Sequence, residues 1–454
     1  MTFRLNHSQN YVKIYFYIKL KLTIITKEIT LNILVIGQGG REHTLVWKIA
    51  QSPLVDKIYC MPGNAGIAQI AELIPMPDGF VALADWAETR NIDLTVVGPE
   101  NPLAAGIVDV FHERGLKAFG PDKQAARLEG SKDFAKQLMV KNDIPTAAYH
   151  TFADADAAID FIKTNNTSVF VKADGLAAGK GVIPGRTIAE ATQAVKTILV
   201  DRAFGEAGKS VIVEEELIGE EASFTVLIDG SRCLPFVSSQ DHKMSHDGDT
   251  GKNTGGMGAY SPAPVMTSGL HEYVMERVVY PTVKGMAEIG CPFKGVLYVG
   301  LMITDTGPKV LEFNCRFGDP ETQVLLPRLK SDVVPLMLAC VEGTLDKHTD
   351  VAWHAEAAAC VVMASGGYPN PYQTGKTITG LAEASSFDGV TVFHAGTKRD
   401  GENVVTAGGR VLGVTALADD LKSAIEQAYL GVSAIHFDDA HWRTDIGHRA
   451  LSRS

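Results

Sequence analysis

The chain has 454 residues, which on length alone makes room for about three domains. Apolar residues make up 45% and charged residues 21%, so a core of ordinary size is available, and the net charge of −11 argues against a general nucleic-acid binder while allowing a local basic pocket. The six cysteines (60, 233, 291, 315, 340 and 360) form no Cys-x-x-Cys pair, which fits the reduced thiols of a cytoplasmic protein and not a disulfide framework or zinc site. No run reaches about 18 uncharged apolar residues, so no membrane span is expected.

Residues 1–31 read as an N-terminal extension. Up to residue 30 they contain no Gly, Ala or Pro, and lysines at 13, 19, 21 and 27 interrupt every apolar run, so no signal peptide is expected. We expect translated upstream sequence with initiation near Leu31; the other reading is a strand that pairs with a sheet edge. Deleting residues 1–30 is then expected to leave activity and Tm unchanged, and peptides from Tyr11 to Lys27 in the mature chain would refute the mis-start.

From Asn32 the texture changes. Asn32–Gly37, Lys57–Cys60 and Asp93–Gly98 read as strands with helical patterns between them, an open doubly wound α/β domain over 32–131. Gly37, Gly39 and Gly40 resemble part of a dinucleotide fingerprint. Glu42, however, occupies the third glycine's place, where it is expected to crowd helix against strand, and no acid stands where a ribose 2′-OH would be held. Both points argue against NAD. A helix N-terminus after a Gly-rich turn still attracts phosphate. Glu100, after the third strand, serves equally as a ligand or as a helix cap.

Residues 132–343 form the expected central domain, with a lid over about 150–220. Val169–Ala173 is a β-rich run that delivers Lys172 into a loop with Gly175, Gly179, Lys180 and Gly181. Glycines let backbone N–H groups approach an anion, and the two lysines add positive charge. No Gly-Lys-Ser/Thr ends the loop, so it is not a Walker loop. Glu214 and Glu215 end the next strand and Glu221 follows; alone, they read as a surface acidic hairpin. Hairpin strands follow over 223–228 and 233–237, then a long helix within 267–289, then strands over 295–303 and 309–314. His242 reads as an orienting donor or a surface residue, since no second His or Cys has ligand spacing. Asp249, Asn253, Thr254, Gly255 and Gly256 lie in a Gly-rich loop able to wrap a small ligand or merely to connect. On the strand leading to Asn314, alternation points Glu312, Asn314 and Arg316 the same way. A carboxylate and an amide oxygen suit Mg²⁺, and a guanidinium beside them suits a phosphate or carboxylate. Residues 344–454, with short strands and Gly-rich turns, read as a smaller β-rich C-terminal domain.

Together these residues resemble the ATP-grasp superfamily, and within it the glycinamide ribonucleotide synthetase (phosphoribosylamine–glycine ligase) family. The resemblance is carried by 316–323 (Arg-Phe-Gly-Asp-Pro-Glu-Thr-Gln), 172–182, 253–262 and 37–43, and runs from about Asn32 almost to the C-terminus. Lys252 stands where proline is usual and Glu216 where an aromatic is usual. The resemblance implies ligation of glycine to 5-phosphoribosylamine with ATP as a substrate, through glycyl phosphate, in purine biosynthesis. It implies Mg²⁺ or Mn²⁺ at Glu312 and Asn314, and ATP phosphates at Lys132, Lys172 and the 175–181 backbone. Glu214 and Glu215 would border adenine and Glu221 would hold the ribose. Arg316 and the loop from Asp249 to Gly258 would face glycine and the acyl phosphate, with Arg316 and Lys172 catalytic. Gly39, Gly40, Arg41, Glu42 and Glu100 would bind phosphoribosylamine. Only small molecules are expected as partners, with no nucleic acid or membrane, and a monomer or weak oligomer. The alternatives are another ATP-grasp ligase, a nicotinamide dehydrogenase and a nucleotide-sensing module.

Overall fold

The structure, a computed structural model, describes residues 30–177 and 181–453. The N-terminal extension up to residue 29, and Gly179 and Lys180 of the phosphate loop, lie outside the described residues. The first strand, β1 (Leu31–Gly37), is followed by helix α1 (Gly40–Ile49), β2 (Val55–Pro62), β3 (Glu72–Leu73), α2 (Gly79–Thr89), β4 (Leu94–Val97), α3 (Glu100–Ala105), α4 (Ile107–Glu113) and β5 (Ala118–Phe119). The strands form one parallel sheet in the order β3-β2-β1-β4-β5. Its centre is apolar on both faces. Ile33 and Val35 of β1 pack with Leu45, Val46 and Ile49, while Leu34 and Ile36 pack with Leu83, Ala84 and Phe111. This is why β1 reads as a continuous apolar run and not as an alternating one. The strand order reverses between β1 and β4, and the turns at their carboxyl ends, Gly37–Gly40 and Gly98–Glu100, meet at that switch point. Ligands collect at such a crevice in open α/β sheets.

Two short helices, α5 (Arg127–Gly130) and α6 (Lys132–Lys141), lead to the lid: β6 (Tyr149–Phe152), α7 (Ala155–Asn165), β7 (Val169–Ala173), β8 (Val182–Gly185), α8 (Ile188–Val195) and β9 (Val211–Glu215). These four strands form an antiparallel sheet, β6-β9-β7-β8, over a core of their own that includes Ile162, Val171, Ile198 and Val213.

The chain continues through β10 (Glu220–Asp229), β11 (Cys233–Pro235), β12 (Gln240–Asp241), β13 (Met244–His246), β14 (Thr250–Asn253) and β15 (Gly258–Ser261). Helices α9 (Ser268–Val274) and α10 (Tyr280–Glu288), joined by a π-turn, realise the long helix expected within 267–289. Then come β16 (Lys294–Thr304), β17 (Gly307–Asn314), α11 (Thr322–Arg328) and α12 (Val333–Glu342). The central sheet is antiparallel, β11-β10-β16-β17, with one apolar face: Phe224, Val226, Val299, Leu301, Val310 and Phe313 share a core with Leu138 and Met139 of α6. Its other face buries Leu227 and Val296 with Leu336 and Met337 of α12, and beyond them it is polar and carries the site.

The last part holds β18 (Ala357–Ala364), β19 (Thr377–Ile378), α13 (Leu381–Ala384), β20 (Val390–His394), β21 (Thr397–Asp400), β22 (Asn403–Thr406), β23 (Arg410–Ala418), α14 (Leu421–Ala434) and α15 (His448–Leu451). It is not closed on itself. Its main sheet runs β12-β15-β18-β23-β20, so two strands from the 132–343 segment complete it. A division at residue 344 therefore cuts through a continuous sheet. The loop between β12 and β15, expected to wrap a ligand, is consequently held from both sides.

Candidate active site

The polar face of β17 presents Glu312 and Asn314. The strand ends at Asn314, so alternation does not deliver Arg316 as expected; ion pairs do. The Arg316 guanidinium lies 2.9 Å from Glu129 and 3.3 Å from Glu100, and it donates to Asn314 Oδ1 at 3.2 Å and to the Phe317 carbonyl at 3.3 Å. Most of its N–H groups are thus already directed at protein oxygens, which makes Arg316 a hub between elements rather than a fork open to a substrate. Burial, with the Glu100 carboxylate nearby, drives the Glu129 carboxyl up. With the guanidinium at 2.9 Å and the Cys315 amide donating at 2.7 Å, the ionised pair is the form the geometry supports. Burial also opposes ionisation of Glu312, but Lys243, Lys132, Lys172 and Arg316 outweigh it and hold this carboxyl below the usual range.

Lys132 opens α6 and its Nζ donates to the Gly175 carbonyl at 3.2 Å. Asp174 accepts from Ser131 Oγ at 3.0 Å and from the Asp133 amide at 3.1 Å, fixing the root of the Gly-rich loop to that helix start. Gly175 has φ +156°, and a Cβ there would meet Ala207 at 2.6 Å, so the loop requires glycine at this point. Lys172 is buried and sits 2.9 Å from Glu214, whose carboxylate also takes Lys136 at 3.1 Å. The Glu214 side chain therefore fixes two lysines in place and leaves any reading of adenine to the backbone beside it. Burial brings the Lys136 ammonium down to about 8 against the pull of Glu214. Glu215 accepts from the Ala148 amide at 3.1 Å and from Lys309 at 3.2 Å, and Glu221 pairs with Lys243 at 3.0 Å.

At the switch point Gly39 is the N-cap of α1, and the Glu42 carboxylate turns back to accept the Gly39 amide at 2.6 Å, the N3 half of a capping box. Glu42 does not crowd the helix against the sheet as its place in the fingerprint suggested. Its side chain lies in the space that Gly37 and Gly98 leave open, where a Cβ on either glycine would clash with it. Arg41 is held by Glu42 at 2.6 Å and donates to the Phe317 carbonyl at 3.2 Å; Glu100 lies 3.9 Å from it. A chain of charges thus runs Glu42–Arg41–Glu100–Arg316–Asn314, joining the first Gly-rich turn to the Glu312/Asn314 pair. Burial raises Glu100, but Arg316 and Arg41 bring it below the usual range.

The loop of 249–256 divides. Thr254 Oγ1 donates to the Lys243 carbonyl, Gly256 (φ +114°) packs on Pro320, and Arg410 joins the Gly255 and Asp319 carbonyls at 2.7 and 2.6 Å. This end sits against the 316–323 turn. Asn253 pairs through its backbone with Met244. Asp249 does not join them: its carboxylate takes Arg443 at 3.0 Å and Arg449 at 2.6 Å, with His448 at 3.5 Å. The expectation of a substrate contact gives way here to an anchor for the C-terminal segment. His242 is fully buried and accepts the Gly447 amide at 2.9 Å, so it is neither a surface residue nor a donor there. Of the two unusual residues, Lys252 reaches Asn370 at 2.6 Å, and Glu216 lies 3.9 Å from Arg186. Sequence reasoning missed Glu129, Asp174 and Arg410, which act across contacts distant in sequence.

Three family models match this chain: the N domain of phosphoribosylglycinamide synthetase over residues 31–129, its ATP-grasp (A) domain over 130–322 and its C domain over 358–449. The chain belongs to the phosphoribosylglycinamide synthetase family. Phosphoribosylamine–glycine ligase of Escherichia coli K12 is 53% identical over 428 residues, 93% of this chain and 99% of that protein; the Pseudomonas aeruginosa enzyme is 50% identical over 426 residues, with the same coverage. The crystal structure of phosphoribosylamine–glycine ligase from Thermotoga maritima superposes with a TM-score of 0.79 at 30% identity, covering 92% of this chain and 100% of that one. A biotin carboxylase domain from Hydrogenobacter thermophilus shares the fold, with a TM-score of 0.70 at 16% identity and coverage of 91% of each chain.

The family's ATP-grasp domain brings the question of a divalent cation to Glu312 and Asn314. Glu312 makes no side-chain hydrogen bond or ion pair among the described residues, and the Asn314 Oδ1 that accepts from Arg316 has a second lone pair. Two hard oxygens are what Mg²⁺ commonly takes from protein where phosphates supply the remaining ligands. The donor set therefore fits a hard divalent ion.

Proposed function

We propose that this chain joins glycine to 5-phosphoribosylamine at the expense of ATP, forming glycinamide ribonucleotide, ADP and phosphate, a step of purine biosynthesis in the cytoplasm. The observation that carries this reading is the charge relay from Arg41 to Asn314. It couples an anion-binding turn in one domain to a lysine-walled carboxylate in another, as a ligase with two anionic substrates needs.

A glycine carboxylate has no leaving group for an amine to displace. In our reading its oxygen attacks the γ-phosphorus of ATP, ADP leaves, and glycyl phosphate forms. The amine of phosphoribosylamine then attacks the carbonyl carbon, and phosphate leaves as the amine loses a proton. No protein nucleophile is required; the protein supplies position and charge. Lys132 and Lys172 flank the phosphates, with Lys172 kept in place by Glu214. The Gly-rich loop that opens at Gly175 would offer its backbone N–H groups to them. Glu312 and Asn314 would hold Mg²⁺ or Mn²⁺, which would neutralise phosphate charge when bound. Gly40 and the Arg41 guanidinium receive the phosphate of phosphoribosylamine at the start of α1, with Gly39 shaping the turn while its amide stays on Glu42. Arg316 acts through Glu100, Glu129 and Asn314, keeping the two sites in register. The chain acts as a monomer or weak oligomer. ADP release measured with ATP, glycine and phosphoribosylamine, omitting each in turn, tests the reading: release without the amine acceptor, or none with all three, would overturn it.

A further inference from the structure

On a strand, residues two apart share a face. Glu221, Ser223 and Thr225 of β10 face away from the core that takes Ala222, Phe224 and Val226. Register sets Ser223 opposite Gly300 and Gly300 opposite Glu312, while an isolated bridge sets Ser223 opposite Ser239. One row across the polar face therefore runs Glu312, Gly300, Ser223, Ser239, with Asp241 two residues beyond Ser239 on the same face. Gly300 leaves the row open beside Glu312: a Cβ there would come within 3.3 Å of Glu312 Cγ and 3.6 Å of the Tyr298 ring.

The polar groups of this face are not equally engaged. Ser223 Oγ is bonded to Tyr298 at 2.9 Å and to Glu321 at 3.2 Å. Ser239 is 0% exposed and its hydroxyl has no partner. Asp241 is 5% exposed, and its carboxylate has no hydrogen bond or ion pair among the described residues. A buried polar group without a partner is costly, and the Ser239 hydroxyl with the unpaired Asp241 carboxylate two residues on marks a place for a ligand. The charges around Asp241 agree. Burial, with Glu321, Glu221 and Glu312 behind it, holds its carboxyl up at about 8 against Lys243.

We propose that Ser239 and Asp241 form the subsite for the ammonium group of the amino-acid substrate, with its carboxylate turned toward Glu312 and the phosphates. This rests on glycine being the carboxylate substrate. An ammonium is compact, carries three donors, and must lose water to enter. The Asp241 carboxylate and the Ser239 hydroxyl offer the acceptors that replace that water, and the orientation they impose puts the carboxylate at the reacting end.

Asp241→Asn keeps the shape and removes the charge. The expected result is a glycine KM raised at least about tenfold, the size of one lost charge-assisted contact, with the KM of ATP and of phosphoribosylamine unchanged and Tm equal or higher. Acetate, which has the carboxylate and no ammonium, competes with glycine equally in wild type and variant, weakly or not at all in both. Ser239→Ala raises the glycine KM in the same selective way and keeps the test open should Asp241→Asn fold poorly. An unchanged glycine KM, a parallel rise in the KM of ATP, or acetate inhibition weakened by Asp241→Asn would overturn the subsite. Failure of the wild type to release ADP with glycine and phosphoribosylamine would instead overturn the proposed reaction.

Discussion

Single side chains here act mostly through charge held out of water. Glu312→Gln preserves shape but removes the carboxylate that balances Lys132, Lys172 and Lys243. We expect kcat to fall about a hundredfold to a thousandfold, the equivalent of about 2.7–4 kcal/mol of barrier, with the melting temperature nearly unchanged. Near-normal turnover in saturating Mg²⁺ would remove Glu312 from the metal site. Arg316 is a different case. The sequence pattern offered it as a fork for a substrate, yet its contacts run to Glu100, Glu129, Asn314 and Phe317. Arg316→Lys keeps one charge but cannot span these partners, and leaves a buried Glu129 poorly paired. A fall in both turnover and thermal stability is expected. Loss of activity at an unchanged melting temperature would return Arg316 to the substrate-facing role. Arg41, at the other end of the relay, has a narrower effect: Arg41→Ala raises the KM of phosphoribosylamine and leaves that of ATP near wild type, and steady-state kinetics with each substrate varied decides it.

At the level of elements, the long strands and Gly-rich turns were legible because their signals are local. β1, β4, β9, β10, β16 and β17 coincide with apolar or alternating runs closed by glycine or acidic turns. β3, β5 and β12, two residues each, carry no period to read. The pairing of β15 with β18 joins segments about a hundred residues apart, and the anchoring of Asp249 by Arg443 and Arg449 spans about two hundred; neither leaves a local trace. Glu42 was legible in kind but misjudged in effect. Its spacing from Gly39 is that of a capping box, and the crowding expected of it is relieved by the missing side chains of Gly37 and Gly98. That arrangement is open to test. Gly98→Ala sets a methyl group where the Glu42 carboxylate lies, so Glu42 must leave the cap and release Arg41. A stability loss of about 1 kcal/mol, typical of a lost cap, should accompany a raised KM for phosphoribosylamine. A stable variant with unchanged kinetics would show that the turn tolerates another route for Glu42.

Across the whole molecule, the C-terminal residues are tied to the rest at buried imidazoles. His43 Nδ1 accepts the His394 amide at 2.7 Å, and His242 Nε2 accepts the Gly447 amide at 2.9 Å. An imidazole nitrogen accepts only when unprotonated, so both contacts require neutral rings. Burial, with His394 beside it, lowers His43 to about 3. Burial, then Arg443 and Arg449 against the nearby Asp249, lowers His242 to about 4, and burial with Arg399 lowers His394 to about 4. Each folded value lies below the 6.5 of an unfolded histidine, so the unfolded chain binds more protons across that interval. Stability from these rings is complete above about pH 6.5 and is lost as the pH falls toward 4, each histidine removing up to about 1.4 kcal/mol per pH unit. The melting temperature should therefore fall between pH 6.5 and 4.5, the three rings outweighing the opposite slope of the single raised carboxyl of Asp241, and before the paired carboxylates Asp249 and Asp445, held well below the usual range, begin to titrate. Calorimetry in buffers of different ionisation enthalpy should show protons taken up on unfolding in that interval. Proton release, or a melting temperature that stays level from pH 7 to 4.5, would mean that the rings are charged in the folded protein and that the C-terminal contacts are made some other way.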